Sequence, residues 1–342
     1  MKIGLVGYQG SGKSTLFQWL TGNPSDPSLA HTTQAAMAAV PDPRIEQICK
    51  VYQPKKLVQA SLELVDTPGL SRTHEGSAAR LGLIREAGCL ALVVAAYDGS
   101  DPKADVASFE EDVLLADLEI VSNRVERLRQ SVKKPRPNRE EEQAELTCLE
   151  PLVEILESGT SLRDVELTDL QMKYTKAFQL ITNKPRVVVV NTADDEENSD
   201  RFKEILADEP TVCAGPLGLE LELSKMDEEE RREFEEEMGL VGFDQGALLR
   251  TLLDASGQFL FFTASEKEVR SWLLDKGATA VEAAHGIHSD LARGFIRGET
   301  FTCDDLFRLG SEKAVKAEGL MRQEPKDYVV QDGDILHIKF SV

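Results

Sequence analysis

The sequence predicts an α/β fold: a mostly parallel sheet, an inserted antiparallel α-helical coiled coil, and a small α+β module at the C-terminal end. Three observations predict it. Short Val- and Leu-rich runs (Ile3 to Val6, Leu62 to Val65, Leu90 to Ala95, Val187 to Val190) recur between helical or loop stretches, as buried parallel strands joined by crossovers do. Between Asp105 and Lys184 the apolar period becomes that of paired helices. Beyond about Gly257 the texture changes again, to short mixed segments.

The totals bound the function. A chain of 342 residues suits two or three domains. Hydrophobic residues make up 41%, mean hydropathy is -0.27, and no apolar run approaches bilayer length, which predicts a soluble protein with no membrane partner. MKIGLVG lacks the long apolar core of a signal peptide, so a cytoplasmic location is expected. The five cysteines form no C-x-x-C pair, so reduced, mostly buried thiols are expected rather than a zinc site or a disulfide framework. Sixty Asp and Glu against 39 Lys and Arg give a net charge of -21, which disfavours a whole-surface grip on nucleic acid. Any RNA contact must come from a local basic patch.

The first strand runs into GYQGSGKST. Gly7 to Ser14 match G-x-x-x-x-G-K-[ST] between a strand and a helix beginning TLFQWL. Gly7, Gly10 and Gly12 let the amides of the loop, Ser11 and Thr15 included, turn toward the α- and β-phosphates of a nucleotide at a helix N-terminus. Lys13 would reach the β- and γ-phosphates, and the Ser14 hydroxyl would ligate Mg²⁺. Asp66-Thr67-Pro68-Gly69 follows the second strand: Asp66 would hold the metal through water and the Gly69 N–H would meet the γ-phosphate. Lys13 and Gly69 are therefore the candidate catalytic groups. Thr32 or Thr33 is the candidate switch threonine, with Thr33 taken as a metal ligand beside Ser14 and Asp66. A small-molecule kinase would not need D-x-x-G at that strand end; read alone, DTPG is a Pro-Gly turn.

Asn191-Thr192-Ala193-Asp194 follows RVVVV, where G domains carry N-K-x-D. Asp194 would accept hydrogen bonds from guanine N1 and N2, a donor pair adenine lacks. Thr192 stands in place of the Lys, and the acids that follow (195–197) leave the register of the base contact open. Cys213 and Ala214 complete the expected base pocket. The nucleotide is GTP or ATP.

In the insertion, Leu114, Leu118, Val121, Val125, Leu128 and Val132, then Leu146, Leu149, Val153 and Leu156, form two a/d stripes that reverse at the Pro-rich tip, residues 133–139. Lys133, Lys134, Arg136 and Arg139 at that tip read equally as a solvated turn or a phosphate-contact patch. Residues 227–237 read as a solvated helix with one thin stripe at Phe234 and Met238. SEKEVRSWLLDKGA reads as helical, and YVVQDGDILHIKFSV as a terminal hairpin turning at Gln331 to Asp334. His285 and His288, with no third ligand, read as structural.

The residues quoted, together with residues 40–56 (VPDPRIEQICKVYQPKK), 178–191, 267–299 and 328–340, resemble the YchF family of Obg-like ATPases over nearly the whole chain. The resemblance implies a P-loop G domain (1–104 with 180–256), a coiled-coil insertion (105–179) and a C-terminal TGS domain of β-grasp fold (257–342). It also implies NTP hydrolysis and association with the ribosome; the expected function is a nucleotide-dependent switch that meets the ribosome, through rRNA or ribosomal proteins, by way of the coiled-coil tip and the TGS domain, with slow turnover expected from the departures that follow. The chain departs from the family at Gln9-Gly10 in place of Pro-Asn, and at His31-Thr32-Thr33-Gln34-Ala35. It departs again at Asp194, where the family's N-x-x-E carries Glu and accompanies ATP preference, and at Leu92, in place of a proposed catalytic His. Leu70 occupies the position of the water-positioning Gln of small GTPases. Arg72 and His74 are candidate stand-ins, and a nucleotide-gated binding protein that barely hydrolyses is the alternative reading.

Overall fold

The computed structural model describes residues 1–26, 32–72, 77–196, 198–238 and 242–341. Its first half runs β1 (Lys2–Val6), α1 (Lys13–Thr21), β2 (Gln34–Ala39), α2 (Pro43–Tyr52), β3 (Leu57–Val58), β4 (Ser61–Asp66), α3 (Ser77–Ile84), β5 (Cys89–Ala96), α4 (Pro102–Ser131), α5 (Arg139–Glu157) and α6 (Asp169–Thr175). Then follow β6 (Arg186–Thr192), α7 (Arg201–Ile205), β7 (Val212–Gly215), α8 (Leu217–Leu223), α9 (Glu228–Met238) and α10 (Gln245–Ala255). The remainder is β8 (Gln258–Ala264), β9 (Val269–Asp275), α11 (Ala280–Ile287), α12 (Ser289–Arg293), β10 (Phe295–Thr302), α13 (Cys303–Leu309), α14 (Glu312–Ala317), β11 (Arg322–Glu324) and β12 (Asp334–Phe340).

The chain divides into two compact units, Met1–Ala36 with Glu63–Asp244 and Met37–Leu62 with Gln245–Val342. The expected boundaries kept residues 37–62 with the first domain and began the last at 257. In the structure the excursion between β2 and β4 belongs with the C-terminal segment, because β3 pairs in parallel with β9 and the Ala60 amide donates to Ser271 Oγ at 2.8 Å.

The first unit is built on a six-stranded sheet of order β2-β4-β1-β5-β6-β7. β1 pairs in parallel with β4 and β5, and β5, β6 and β7 continue the parallel set. The Val- and Leu-rich runs lie here; those of β1, β5 and β6 are buried on both faces, as central parallel strands require, while β4 alternates buried and half-buried residues. The chain goes from β1 to β4 on one side and then to β5 on the other, so the strand order reverses at β1. A crevice opens at the carboxyl ends of strands at such a reversal, and the loop after β1 lies in it.

The insertion is a helical hairpin. Asp101 caps α4 by accepting from the Lys103 and Ala104 amides at 2.9 and 3.2 Å, with Pro102 in the first turn. The 30 residues of α4 span about 45 Å at 1.5 Å per residue. Val121, Val125, Leu128, Leu146, Leu149 and Leu156 are buried along its seam with α5, as the heptads predict. Arg124 closes the seam's edge with a bidentate pair to Glu145, both bonds 2.7 Å. At the base, the fully buried Asp117 accepts from Arg85 at 2.5 Å and from the amide and hydroxyl of Thr182 at 2.8 Å. The acidic segment forms α9 with mostly exposed side chains, as expected of a solvated helix.

The second unit holds a sheet of order β11-β10-β12-β8-β9-β3. Two expectations fail in it. SEKEVRSWLLDKGA is not helical: it contains β9, antiparallel to β8 over seven residue pairs, with Arg270 lying 4.0 Å over the Trp272 ring. The tight turn at Gln331 to Asp334 is present, since the Asp334 amide donates to the Gln331 carbonyl and Asp334 Oδ2 accepts from the Gln331 amide. No hairpin follows from it, because β12 pairs with β10 and β8 while Val329 bridges to Thr279. No helix among the described residues is long and apolar enough to cross a membrane.

Candidate functional site

The loop from Gly7 to Gly12 has the backbone its sequence demands. Gly7 and Gly12 take φ of 138° and 102°, and a Cβ would strike the Val93 carbonyl oxygen at Gly7 and the Asn191 side-chain amide at Gly12. The loop is held from three sides. Tyr97 donates its hydroxyl to the Gly10 carbonyl. Asn191 Nδ2 donates to the Ser11 carbonyl at 3.2 Å, and Asn191 Oδ1 accepts from the Leu217 amide at the start of α8. The DTPG segment is bonded to it as well: the Gln9 amide donates to the Leu70 carbonyl and the Leu70 amide to the Gly7 carbonyl, both 3.0 Å. Gly69 thereby sits so close to Gln9 that a Cβ would lie 3.0 Å from its backbone.

Lys13 opens α1 and is 6% exposed. Its ammonium donates to the Tyr8 carbonyl at 2.7 Å, so the loop's own oxygen satisfies it. Burial pushes its pKa down from 10.5 to about 8, against the opposing pull of the Asp66 carboxylate. A phosphate beside it would favour the charged form and raise that value again. Ser14 Oγ donates to Asp66 Oδ2 at 2.7 Å. Ser25 reaches the same oxygen at 3.3 Å, and Gln34 reaches Ser25 in turn. Asp66 is buried, and its other oxygen, Oδ1, has no hydrogen-bond partner. A buried, unpartnered carboxylate oxygen beside a serine hydroxyl is the oxygen donor set a hard divalent cation takes. The residues present therefore fit magnesium.

Two cavities flank the loop and share Lys13, Ser14 and Thr15. One, of about 610 Å³, is walled by Gly12, Tyr97, Asp98, Asn191, Thr192 and Asp194, with Gly218 at its edge. The other, of about 520 Å³, is walled by Gln9, Ser25, Thr32, Asp66, Gly69 and Arg80. Together they offer a base-sized recess on the β6 side and a phosphate and metal recess on the β4 side.

Two family models match the chain: the one described as MMR_HSR1, 50S ribosome-binding GTPase, over residues 2–124, and the one described as YchF-GTPase_C, a protein of unknown function, over residues 259–341. The Ribosome-binding ATPase YchF of Bacillus subtilis (strain 168) is 34% identical over the full length of both proteins. The chain belongs to the YchF family. Another relative, the Obg-like ATPase 1 of Oryza sativa subsp. japonica, is 33% identical over all of this chain and 92% of its own. The solved structure of the Schizosaccharomyces pombe YchF GTPase superposes with a TM-score of 0.86 at 27% identity, covering 99% of this chain and 97% of that one. This family member is a P-loop nucleotide-binding NTPase by fold and by membership.

Of the residues expected at the site, the structure gathers Gly10, Gly12, Lys13, Ser14, Thr15, Asp66, Gly69, Asn191 and Asp194 along the two cavities. Gly7 and Ser11 shape the loop from beneath. Thr33 does not line the metal-side recess; it is exposed, and Thr32 lines it instead. Cys213 and Ala214 lie on β7 outside both walls, with Ala214 packed against the sheet core. Arg72 is engaged elsewhere, paired with the buried Asp105 and lying 5.1 Å over the Tyr8 ring. His31 and His74 lie outside the described residues. Leu92 is fully buried in the core. Sequence reasoning missed Tyr97, Asp98, Gly218, Ser25 and Arg80, none of which sits in a motif, and it named Gln34 only as a departure from the family's pattern, without a role at the site.

Proposed function

We propose that the chain binds GTP or ATP with Mg²⁺, hydrolyses it slowly, and uses the bound state to control association with the ribosome. The observation that carries the nucleotide site is the unpartnered Asp66 Oδ1 beside Ser14 and Lys13 at the head of α1. The triphosphate follows α1's N-terminus, with the base in the recess walled by Asn191 and Asp194. Ser14 and Asp66 would hold the metal, which would neutralise charge on the β- and γ-phosphates. Lys13 exchanges the Tyr8 carbonyl for phosphate oxygens, and the Gly69 amide meets the γ-phosphate. The state is read by the Ser25–Asp66–Gln34 contacts and by the DTPG segment, which share hydrogen bonds with the loop. The experiment is a titration of wild-type chain and Lys13→Ala with GTP and ATP in competition. Loss of binding in Lys13→Ala is expected; unchanged affinity refutes the site. Asp194→Ala should weaken GTP more than ATP if the carboxylate reads guanine.

The ribosome enters from relatives named Ribosome-binding ATPase YchF. On a chain of net charge -21, a recess of about 370 Å³ near the arm tip is lined by Arg124, Arg127, Lys134 and Arg136, with Glu142 the acid among them. That patch supports an RNA phosphate contact. Arg124 and Arg127 were not singled out in the sequence, and Lys133 and Arg139 do not line the recess. The C-terminal unit, read as a TGS domain of β-grasp fold, is the second ribosome contact. A cytoplasmic location goes with such a partner, and the five cysteines are all free thiols.

A further inference from the structure

Two positions that carry hydrolytic groups elsewhere hold none here: Leu70, where small GTPases place a Gln, and Leu92, where the family tends to place a His, are both fully buried apolar side chains. One group in the metal-side recess is unaccounted for. Arg80, on α3, lines the same cavity as Lys13, Ser14, Asp66 and Gly69, and its Nη1 is buried with no hydrogen-bond partner. An unpaired buried guanidinium nitrogen costs free energy unless an anion completes it. Three neighbouring cations among the described residues are already used: Arg72 on Asp105, Arg85 on Asp117, Lys13 on the loop carbonyl. Arg80 is also held on a fixed element. Leu81 and Ile84 bury the next turn of α3 in the sheet core, and Arg85 fastens the helix end to α4.

We propose that Arg80 is a catalytic residue of this chain, an arginine supplied in cis that binds the γ-phosphate and stabilises the charge that develops on it during hydrolysis. The inference rests on the nucleotide site proposed above. In the reaction a water oxygen bonds to the γ-phosphorus as the bond from that phosphorus to the β–γ bridging oxygen breaks. The bond's electron pair leaves with the diphosphate, and the water's proton ends on the released phosphate. Arg80 takes no part in the proton transfer; its planar N–H groups meet the equatorial γ-oxygens, a role a lysine's point charge fills less well.

The test compares full-length wild type, Arg80→Ala and Arg80→Lys. It measures GDP and ADP affinity by titration, and GTP and ATP hydrolysis in single turnover with magnesium. The diphosphate does not reach Arg80, so its affinity stays within about twofold, which also shows the variants are folded. Hydrolysis falls by about 100-fold or more in Arg80→Ala, in the range that removing one transition-state donor produces, and Arg80→Lys recovers triphosphate affinity more than rate. Wild-type turnover in Arg80→Ala, with diphosphate binding intact, overturns the role of Arg80 and leaves the nucleotide site standing. A wild-type chain that binds nucleotide but hydrolyses it no faster than free solution overturns the role as well. A wild-type chain that binds neither nucleotide removes the site and the role together.

Discussion

Asp66→Asn separates the metal from the fold. Asp66 is 6% exposed, and its Oδ2 accepts from Ser14 while Oδ1 accepts from nothing. The amide oxygen of Asn keeps the bond from Ser14, so without ligand the variant loses a charge and no hydrogen bond. Its melting temperature should stay close to wild type. With nucleotide and magnesium at 100 times the dissociation constant, wild type gains about 2.7 kcal/mol. For a unit of about 220 residues, at about 2–4 °C per kcal/mol, that gain is a rise of roughly 5–11 °C. Removing the carboxylate from a hard cation weakens the ternary complex by about 100-fold, comparable to the upper end for losing a residue that supports a metal site. At the same ligand concentration the ratio falls to about one, which leaves about 0.4 kcal/mol and a rise under roughly 2 °C. The assay is differential scanning fluorimetry with nucleotide, with and without magnesium. A full magnesium-dependent rise in Asp66→Asn would refute the assignment of Asp66 to the metal.

Two further predictions concern the arm and the C-terminal unit. Neutralising Arg127, Lys134 and Arg136 to Ala should lower ribosome co-sedimentation and flatten its log–log salt slope by about one per lost phosphate contact, so by about three; an unchanged slope returns the recess to an ordinary solvated surface. In the second unit, burial holds the His337 imidazole below its ordinary 6.5, with Lys339 acting the same way and Glu312 and Glu299 opposing. Its ring lies 5.9 Å from that of Phe301, and Glu312 is 3.9 Å from Nε2, too far to outweigh burial. A depressed histidine favours the fold in its neutral form, so this stability is complete above pH 6.5 and is lost as pH falls through the lower folded value. Melting temperature should therefore decline from pH 6.5 toward 5, and His337→Gln should flatten the decline. An identical slope in the variant would contradict it.

The parts of the site that were legible in the sequence are those whose chemistry is local. Gly7 to Ser14 must turn within a few residues and needs glycines to do so, and Asp66 and Asn191 end apolar runs that announce themselves as strands. The arm was legible because its seam repeats. What escaped is set by distant pairing. Tyr97 and Gly218 reach the loop through tertiary placement, and Arg80 is one arginine in a short helix until the fold turns it to the recess. The segment containing β9 carries few β-branched residues, and its Val269, Trp272 and Leu273 mimic helical spacing. Its seven-pair register with β8 overrode that pattern. The excursion from Met37 to Leu62 joins the C-terminal segment through the two residues of β3, Leu57 and Val58, through backbone bonds of Lys55 and Lys56 to Glu266 and Val269, and through side-chain contacts, none of which a local rule foresees.

The central claim is that the loop after β1, with Lys13, Ser14 and Asp66, grips a magnesium-bound triphosphate. The most direct measurement is a crystal structure of the chain grown with magnesium and a non-hydrolysable GTP or ATP analogue. The account predicts the γ-phosphate between Lys13 and the Gly69 amide, the metal on Ser14 with Asp66 beside it, and the base against Asn191. Density for the analogue anywhere else, or a crevice unchanged from the free chain at saturating ligand, would contradict it.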